Sequence, residues 1–198
     1  KKDPIKCLEE SIISLFTYLT HLRYRKFVYL SSASVYPQIG THRTEDSIID
    51  ISDLSIYGSH KYLGERYVKE FANSWLIVRP TGFFGEGLRK NLIFDLRNEK
   101  TDIYVNRSSC IDYMPVKWFC DTLYTLSRKA EKEIINVGSG HPVSVNRLIE
   151  MKPRKYMFHE ERVQDDRNIS FERLRKYVTQ LLGPDDLEKM IEEFINNR

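Results

Sequence analysis

The stretch Phe27-Val28-Tyr29-Leu30-Ser31-Ser32-Ala33-Ser34, followed by Tyr57-Gly58-Ser59-His60-Lys61, decides how this chain is read. Four apolar residues in a row suit a strand covered on both faces, as in a parallel sheet, and the serines fall where such a strand ends. Open α/β sheets bind their ligands at the carboxyl ends of the strands. The second segment opens a periodic run reaching Ala72, which predicts a helix from about Ser59 with Leu63, Tyr67, Val68 and Phe71 as its packing face. Side chains four apart on a helix share a face, so Tyr57 and Lys61 come within reach of each other. An ammonium beside a phenol favours the phenolate, which makes the two a usable acid/base pair.

Working outward, residues 75–79 form a second buried strand, stopped by Pro80 and the glycine-rich turn 81–87. Residues 134–137 form a third, closed by Gly138-Ser139-Gly140. Between them lie a helix at 92–96, a short strand at 102–105, a stiff extended piece at 112–116 and a helix at 117–129. Strands alternating with helices predict an α/β fold with a mainly parallel sheet. Ahead of the first strand, residues 4–22 read as a helix that begins near a proline, with Ile5, Leu8, Ile12, Leu15, Phe16, Leu19 and Leu22 at helical spacing. Cys7, Ile13 and Tyr18 widen its apolar surface. Such a helix is covered on two sides, by its own sheet and a partner chain, or is roofed by another part of its own chain, and both arrangements stay open. The loop 36–55, with Pro37, Gly40 and Thr41, has a length that in compact domains belongs to functional or mobile segments. From Met151 the chain turns polar and basic, then offers two short amphipathic helices at 171–182 and 185–196, parted by Gly183-Pro184.

With 198 residues and 41% hydrophobic content, the chain can build one sizeable core but not two, so one body with a small appendage is expected. Its 31 basic and 28 acidic residues are too balanced to announce nucleic acid as a partner. Cys7, Cys110 and Cys120 are odd in number and fit neither a disulfide framework nor a zinc site; they read as reduced thiols of a cytoplasmic protein, and no metal is expected. Nothing reads as a signal peptide, and no apolar run approaches the roughly 20 residues of a membrane span.

Each candidate also has a bland reading. Tyr57 and Lys61 could be an exposed pair on an ordinary helix, and the spacing recurs at Tyr113 and Lys117, where Pro115 argues against a shared helical face. Ser31, Ser32 and Ser34 could be turn formers. Gly138-Ser139-Gly140 lacks a third glycine, Val143 standing in its place, and reads as a helix-capping turn. His60 reads as a solvated helix residue.

Taken together and in order, several segments resemble the extended short-chain dehydrogenase/reductase family, in its NAD-dependent epimerase/dehydratase group. They are the strand Phe27 to Leu30 with Ser31-Ser32-Ala33-Ser34-Val35-Tyr36, Tyr57 to Lys61 with Glu65, Arg79-Pro80-Thr81-Gly82-Phe83-Phe84-Gly85-Glu86-Gly87, Asp112-Tyr113-Met114-Pro115-Val116, and Asn136 to Gly140 leading into Ser144-Val145. The resemblance implies a Rossmann-like body over 1–150 with interleaved substrate-binding segments, and a C-terminal helical part of a small substrate subdomain over 151–198. It implies Ser32 as the hydroxyl that polarises the substrate, Tyr57 as acid/base, and Lys61 as the residue that tunes Tyr57. It places Leu30, Ser31, Tyr57, Lys61 and Pro80 on an NAD or NADP cofactor, and Ser34, Thr81, Gly82, Phe84 and Arg107 on a sugar or nucleotide-sugar substrate. It also implies a homodimer through residues 4–22 and the helix after Tyr57.

The departures from the family are informative. The glycine-rich turn that holds the cofactor pyrophosphate has no counterpart in these 198 residues, so an N-terminally incomplete sheet and doubtful cofactor binding by this chain alone are expected. Gly82 stands where nucleotide-sugar members often carry asparagine, and Ile111 where many carry arginine, a role that Arg107 or Arg89 could take over. Members that eliminate water place two carboxylates directly after the strand hydroxyl, where this chain has Ala33 and Ser34. The expected chemistry is therefore epimerisation or reduction. The alternative is a non-catalytic binding or scaffold protein that has lost the dinucleotide site, and a third reading is a complex subunit completed by another chain.

Overall fold

The computed structural model describes residues 4–38, 40, 42–159 and 164–197; Thr41 and the side chain of Cys7 lie outside these. Helix α1 (Pro4–Leu8) widens into a π-helical stretch (Glu9–Ile13) and continues as α2 (Ser14–His21). The wide turn is tied by the Ser14 hydroxyl, which donates to the Glu9 carbonyl at 2.9 Å. Strand β1 (Phe27–Leu30), helix α3 (Ile56–Phe71), strands β2 (Trp75–Pro80) and β3 (Gly82–Phe84), helix α4 (Leu92–Arg97) and strand β4 (Asp102–Ile103) follow. Then come β5 (Cys110–Ile111), β6 (Tyr113–Pro115), α5 (Val116–Lys129), β7 (Glu133–Val137), β8 (Val143–Ser144), α6 (Val145–Glu150), β9 (Met157–Phe158), α7 (Glu172–Arg175) and α8 (Pro184–Asn196).

The main sheet has the order β1-β2-β7 and is parallel throughout, Tyr29 standing beside Ile77 and Ile77 beside Ile134. Successive strand residues face opposite sides, which is why unbroken apolar runs were needed. Tyr29, Ile77 and Ile134 pack under α2 and α3 with Leu15, Leu19 and Val68. Leu76, Val78, Ile135 and Val137 pack under α5 with Phe119 and Leu126, where Leu174 of α7 joins them. A separate core gathers Leu92, Ile93 and Leu96 of α4, Leu148 of α6, and Leu187, Ile191 and Ile195 of α8. The α/β fold with a mainly parallel sheet is the one expected. This second core draws on segments inside 1–150 as well as on α8.

Several local expectations are corrected. Residues 171–182 hold only the four-residue α7, which has no side-chain N-cap and runs into the β-branched pair Val178-Thr179. The strand expected at 102–105 is Asp102–Ile103, and it pairs with Met157–Phe158, a partner too short to show periodicity. Helix α3 starts at Ile56, its Ser55 side chain accepting from the Gly58 amide, and its buried face is Gly58, Gly64, Glu65 and Val68. A β-carbon on Gly58 would lie 2.2 Å from the Ser34 carbonyl oxygen, and one on Gly64 2.2 Å from the Tyr29 hydroxyl. Missing side chains therefore do the packing at both points, and Phe71, expected to be buried, is exposed. The α1–α2 segment buries Ile12, Leu15 and Leu19 on its own chain, while Ile5, Leu8, Ile13, Phe16 and Tyr18 stay exposed.

One ion pair joins the layers. Glu65 of α3 and Arg79 of β2 are 1% and 2% exposed, and the guanidinium bonds both carboxylate oxygens, Nε to Oε1 at 2.8 Å and Nη2 to Oε2 at 2.7 Å. Glu65 also accepts from the Ser31 hydroxyl at 2.5 Å, and Arg79 Nη1 donates to the Tyr36 hydroxyl at 2.7 Å. Tyr36 passes its proton on to Asn136 at 2.9 Å, and Asn136 takes up Glu45 through its amide and Ser170 through its side chain. Burial presses on the Arg79 charge, but the bonds and charge of Glu65 and Tyr36 outweigh it and hold the guanidinium above its ordinary pKa. Removing one member leaves an uncompensated buried charge, so Arg79→Met is expected to cost about 3–5 kcal/mol of stability in denaturant unfolding. The double variant Glu65→Met/Arg79→Met is expected to be more stable than Arg79→Met alone.

Candidate functional site

Two adjoining cavities open at the carboxyl ends of β1 and β2. One, of about 440 Å³, is lined by Leu30, Ser31, Ser32, Tyr57, Lys61, Pro80, Thr81, Gly82, Phe83, Leu88, Lys90 and Asn91. The other, of about 230 Å³, shares Ser32, Pro80, Thr81, Gly82 and Asn91 and adds Ser34, Cys110, Ile111, Asp112, Tyr113, Asp165 and Arg167. Ser32, Tyr57 and Lys61 thus meet at one place, and all five residues read as cofactor-facing border the first cavity.

The first turn of α3 carries Tyr57, which is 51% exposed at the rim. One turn on, the Lys61 ammonium donates to the Leu30 carbonyl at 2.8 Å and stands 5.8 Å from the centre of the Tyr57 ring. Partial burial of Lys61 lowers its pKa. Ser32 has extended backbone, and its hydroxyl oxygen accepts from the Ser34 amide at 3.1 Å. Its own proton stays available for an oxygen in the cavity. Ser32 is a turn former here, as the bland reading had it, whereas the Ser31 hydroxyl donates to Glu65; Ser31, Ser32 and Ser34 all border the cavities.

Asp112 closes the floor. Its carboxylate accepts from Thr81 Oγ1 at 2.7 Å, the Gly140 amide at 2.7 Å, and the Ser139 amide and hydroxyl, both at 2.9 Å. Burial raises the Asp112 pKa, and the four bonds pull it back. The Gly138-Ser139-Gly140 turn is therefore a cradle for a carboxylate and not a helix cap; the following helix, α6, is capped by Ser144. At Gly82 a β-carbon would lie 2.6 Å from the Tyr113 ring and 2.9 Å from the Asp112 carbonyl, so this chain offers only backbone where an asparagine is common in the family.

Other expectations do not converge on the cavities. Phe84 is 4% exposed and packs against Phe194 in the small core. Arg107 lies on the surface, bonded to Asn146 and set over the Phe158 ring. The cation that the structure does bring to the smaller cavity is Arg167, which is paired with Asp165 and donates to the Tyr36 carbonyl at 3.2 Å. Burial raises the Asp165 pKa. Sequence reading missed Asp165 and Arg167 because they sit in a charged run without periodicity. It missed Asn91 although its place ahead of Leu92 is a capping signal, and its side chain does accept from the Phe94 amide. Tyr113 is on β6 and buried, Lys117 is on α5, and the two form no helical pair. His60 is half-buried, where a solvated position was expected.

The NAD dependent epimerase/dehydratase family profile matches residues 3–138. A putative UDP-glucose 4-epimerase of Methanocaldococcus jannaschii is 26% identical over 164 residues, which are 71% of this chain and 50% of that protein. The chain thus spans about half the length of the curated relative it matches. Among solved structures, MoeE5 in complex with UDP-glucuronic acid and NAD superposes with a TM-score of 0.82 at 20% identity, over 95% of this chain and 70% of that one. The dTDP-glucose 4,6-dehydratase of Bacillus anthracis str. Ames in complex with NAD gives 0.81 at 17% identity, over 98% and 69%. These structures share its Rossmann-like fold, and with more than half of its residues matched by the family profile the chain belongs to the NAD dependent epimerase/dehydratase family.

Proposed function

We propose that this chain supplies the acid/base centre of an NAD- or NADP-dependent epimerase or reductase acting on a carbinol carbon of a sugar or nucleotide sugar. The observation that carries the reading is the meeting of Ser32, Tyr57 and Lys61 at one cavity beside Leu30, Ser31 and Pro80. Leu30, Ser31, Tyr57, Lys61 and Pro80 would hold the nicotinamide and its ribose, and Lys61 and Tyr57 offer polar groups there. The nicotinamide supplies hydride exchange. Tyr57 takes the hydroxyl proton of the carbinol as general base, with the Lys61 ammonium one helical turn away. Ser32 donates to the oxygen as it becomes a carbonyl. Elimination of water needs a further acid and base, and beside Ser32 stand Ala33 and Ser34; Asp112 is engaged by four donors and Asp165 by Arg167.

The alternative, a binding protein without catalysis, draws on the lack of a glycine-rich pyrophosphate turn in this sequence. The 198-residue chain by itself is expected to bind NAD(H) more weakly than micromolar in calorimetric titration, and micromolar binding would show that the missing turn is dispensable. In a form that turns over, Tyr57→Phe is expected to lower kcat by at least about a hundredfold, and Tyr113→Phe far less. Equal losses would remove Tyr57 from its role. We also propose a homodimer through α1–α2 and α3, motivated by the exposed Ile5, Leu8, Ile13 and Phe16 and by the edge-on packing of Phe16 on Tyr67 and Phe71. Light scattering at high micromolar concentration is expected to give twice the chain mass; a folded monomer would count against it.

A further inference from the structure

Lys61 is held in an unusual way for a half-buried cation. It forms no ion pair with a carboxylate among the described residues, and its one hydrogen-bond acceptor is the Leu30 carbonyl. What surrounds it otherwise is aromatic: the ammonium lies over the Tyr29 ring at 5.2 Å from its centre and over the Tyr57 ring at 5.8 Å. Tyr29 itself is fixed from below. It sits on β1 between the sheet and α3, 9% exposed, and its hydroxyl reaches so close to Gly64 that a β-carbon there would be 2.2 Å away. The charged and titratable groups around Lys61 are Tyr57 on its own helix, Tyr29 on β1, Lys90 across the cavity, and Glu65 one turn on, which is committed to Ser31 and Arg79.

We propose that Tyr29 is a positioning residue for the Tyr57–Lys61 pair, its ring face seating the Lys61 ammonium and keeping it charged; this rests on the function proposed above. The physical case is one of compensation. Burial works against the ammonium, as the lowered Lys61 pKa reflects. The negative face of an aromatic ring attracts a cation more strongly as water is withdrawn. Without a carboxylate partner, the Tyr29 and Tyr57 rings and one carbonyl supply the compensation, and only the Tyr29 ring belongs to a residue that the reaction does not itself consume or protonate. A neutral Lys61 would place no positive charge beside Tyr57.

The test reads the lysine directly and needs neither cofactor nor turnover. In the 198-residue chain labelled with 13C at lysine Cε, the Lys61 resonance is assigned by its loss in Lys61→Arg and titrated by NMR. Tyr29→Phe, which keeps the ring, is expected to leave the midpoint where it is, and Tyr29→Leu to lower it by about 0.5–1 pH unit. Should Tyr29→Leu fail to fold, phenylalanines of increasing fluorination at position 29 keep the shape while draining the ring face, and the midpoint is expected to fall with each fluorine. A midpoint that stays constant or rises along either series overturns the proposal and leaves Tyr29 as core packing. Failure of the function itself would appear elsewhere, as undiminished turnover in Tyr57→Phe.

Discussion

The buried pair Glu65–Arg79 is the constraint on which the rest of the structure depends. Neither charge reaches water, and each is tolerated only because the other satisfies it in a two-pronged geometry. Position matters more than strength here. Glu65 stands on the helix that carries Tyr57 and Lys61, and the Ser31 hydroxyl that it accepts from belongs to the residue before Ser32, just past the end of the first strand. Arg79 stands one residue before Pro80, on the strand that floors both cavities. Three separate pieces of chain are thus fixed relative to one another by groups that hydrogen-bond only in narrow directions. Apolar contacts alone would leave the helix free to slide by a fraction of a turn.

The chemistry at the cavity follows from an uneven distribution of charge. Lys61 and Lys90 border the larger cavity, while Asp112 and Asp165 face the smaller one with Arg167. Asp112 is spoken for by four donors, so it shapes the floor without offering itself as a base. The Tyr57 phenol stands at the rim of the larger cavity, and the Ser32 hydroxyl lines both cavities.

Much of this was legible in the sequence, and what was not has physical causes. Strands β1, β2 and β7 announced themselves through short apolar runs, Phe27 to Tyr29, Trp75 to Val78 and Ile134-Ile135, whose side chains feed the cores on the two faces of the sheet. The pair at Tyr57 and Lys61 was legible because its spacing matches the helical repeat. The packing face of α3 was misjudged because glycine makes close contact by lacking a side chain, which no count of hydrophobic residues registers. Arg167 and Asp165 were invisible because they belong to a segment whose structure is dictated by its partner: the backbone of Arg43 bridges to Ile169, and Asp166 donates to the Gln38 carbonyl. Arg107 was named only for its charge, as a stand-in for the arginine absent at Ile111, and it lies on the surface bonded to Asn146, away from the two cavities.

The same stitching has a kinetic meaning. The loop after Tyr36 is joined to the segment around Arg173 by contacts between residues far apart in sequence, as in the bond from Arg173 to Asp46, 127 positions away. Ordering two irregular segments against each other over such a distance costs loop-closure entropy before any contact repays it. The wall of the smaller cavity is accordingly expected to form after the sheet that carries Asn136, the residue on which Glu45 and Ser170 converge. A ligand that bridged that wall to Pro80 would tie two irregular segments to the end of a sheet strand, and its occupancy is expected to slow local opening there more than the unfolding of the sheet.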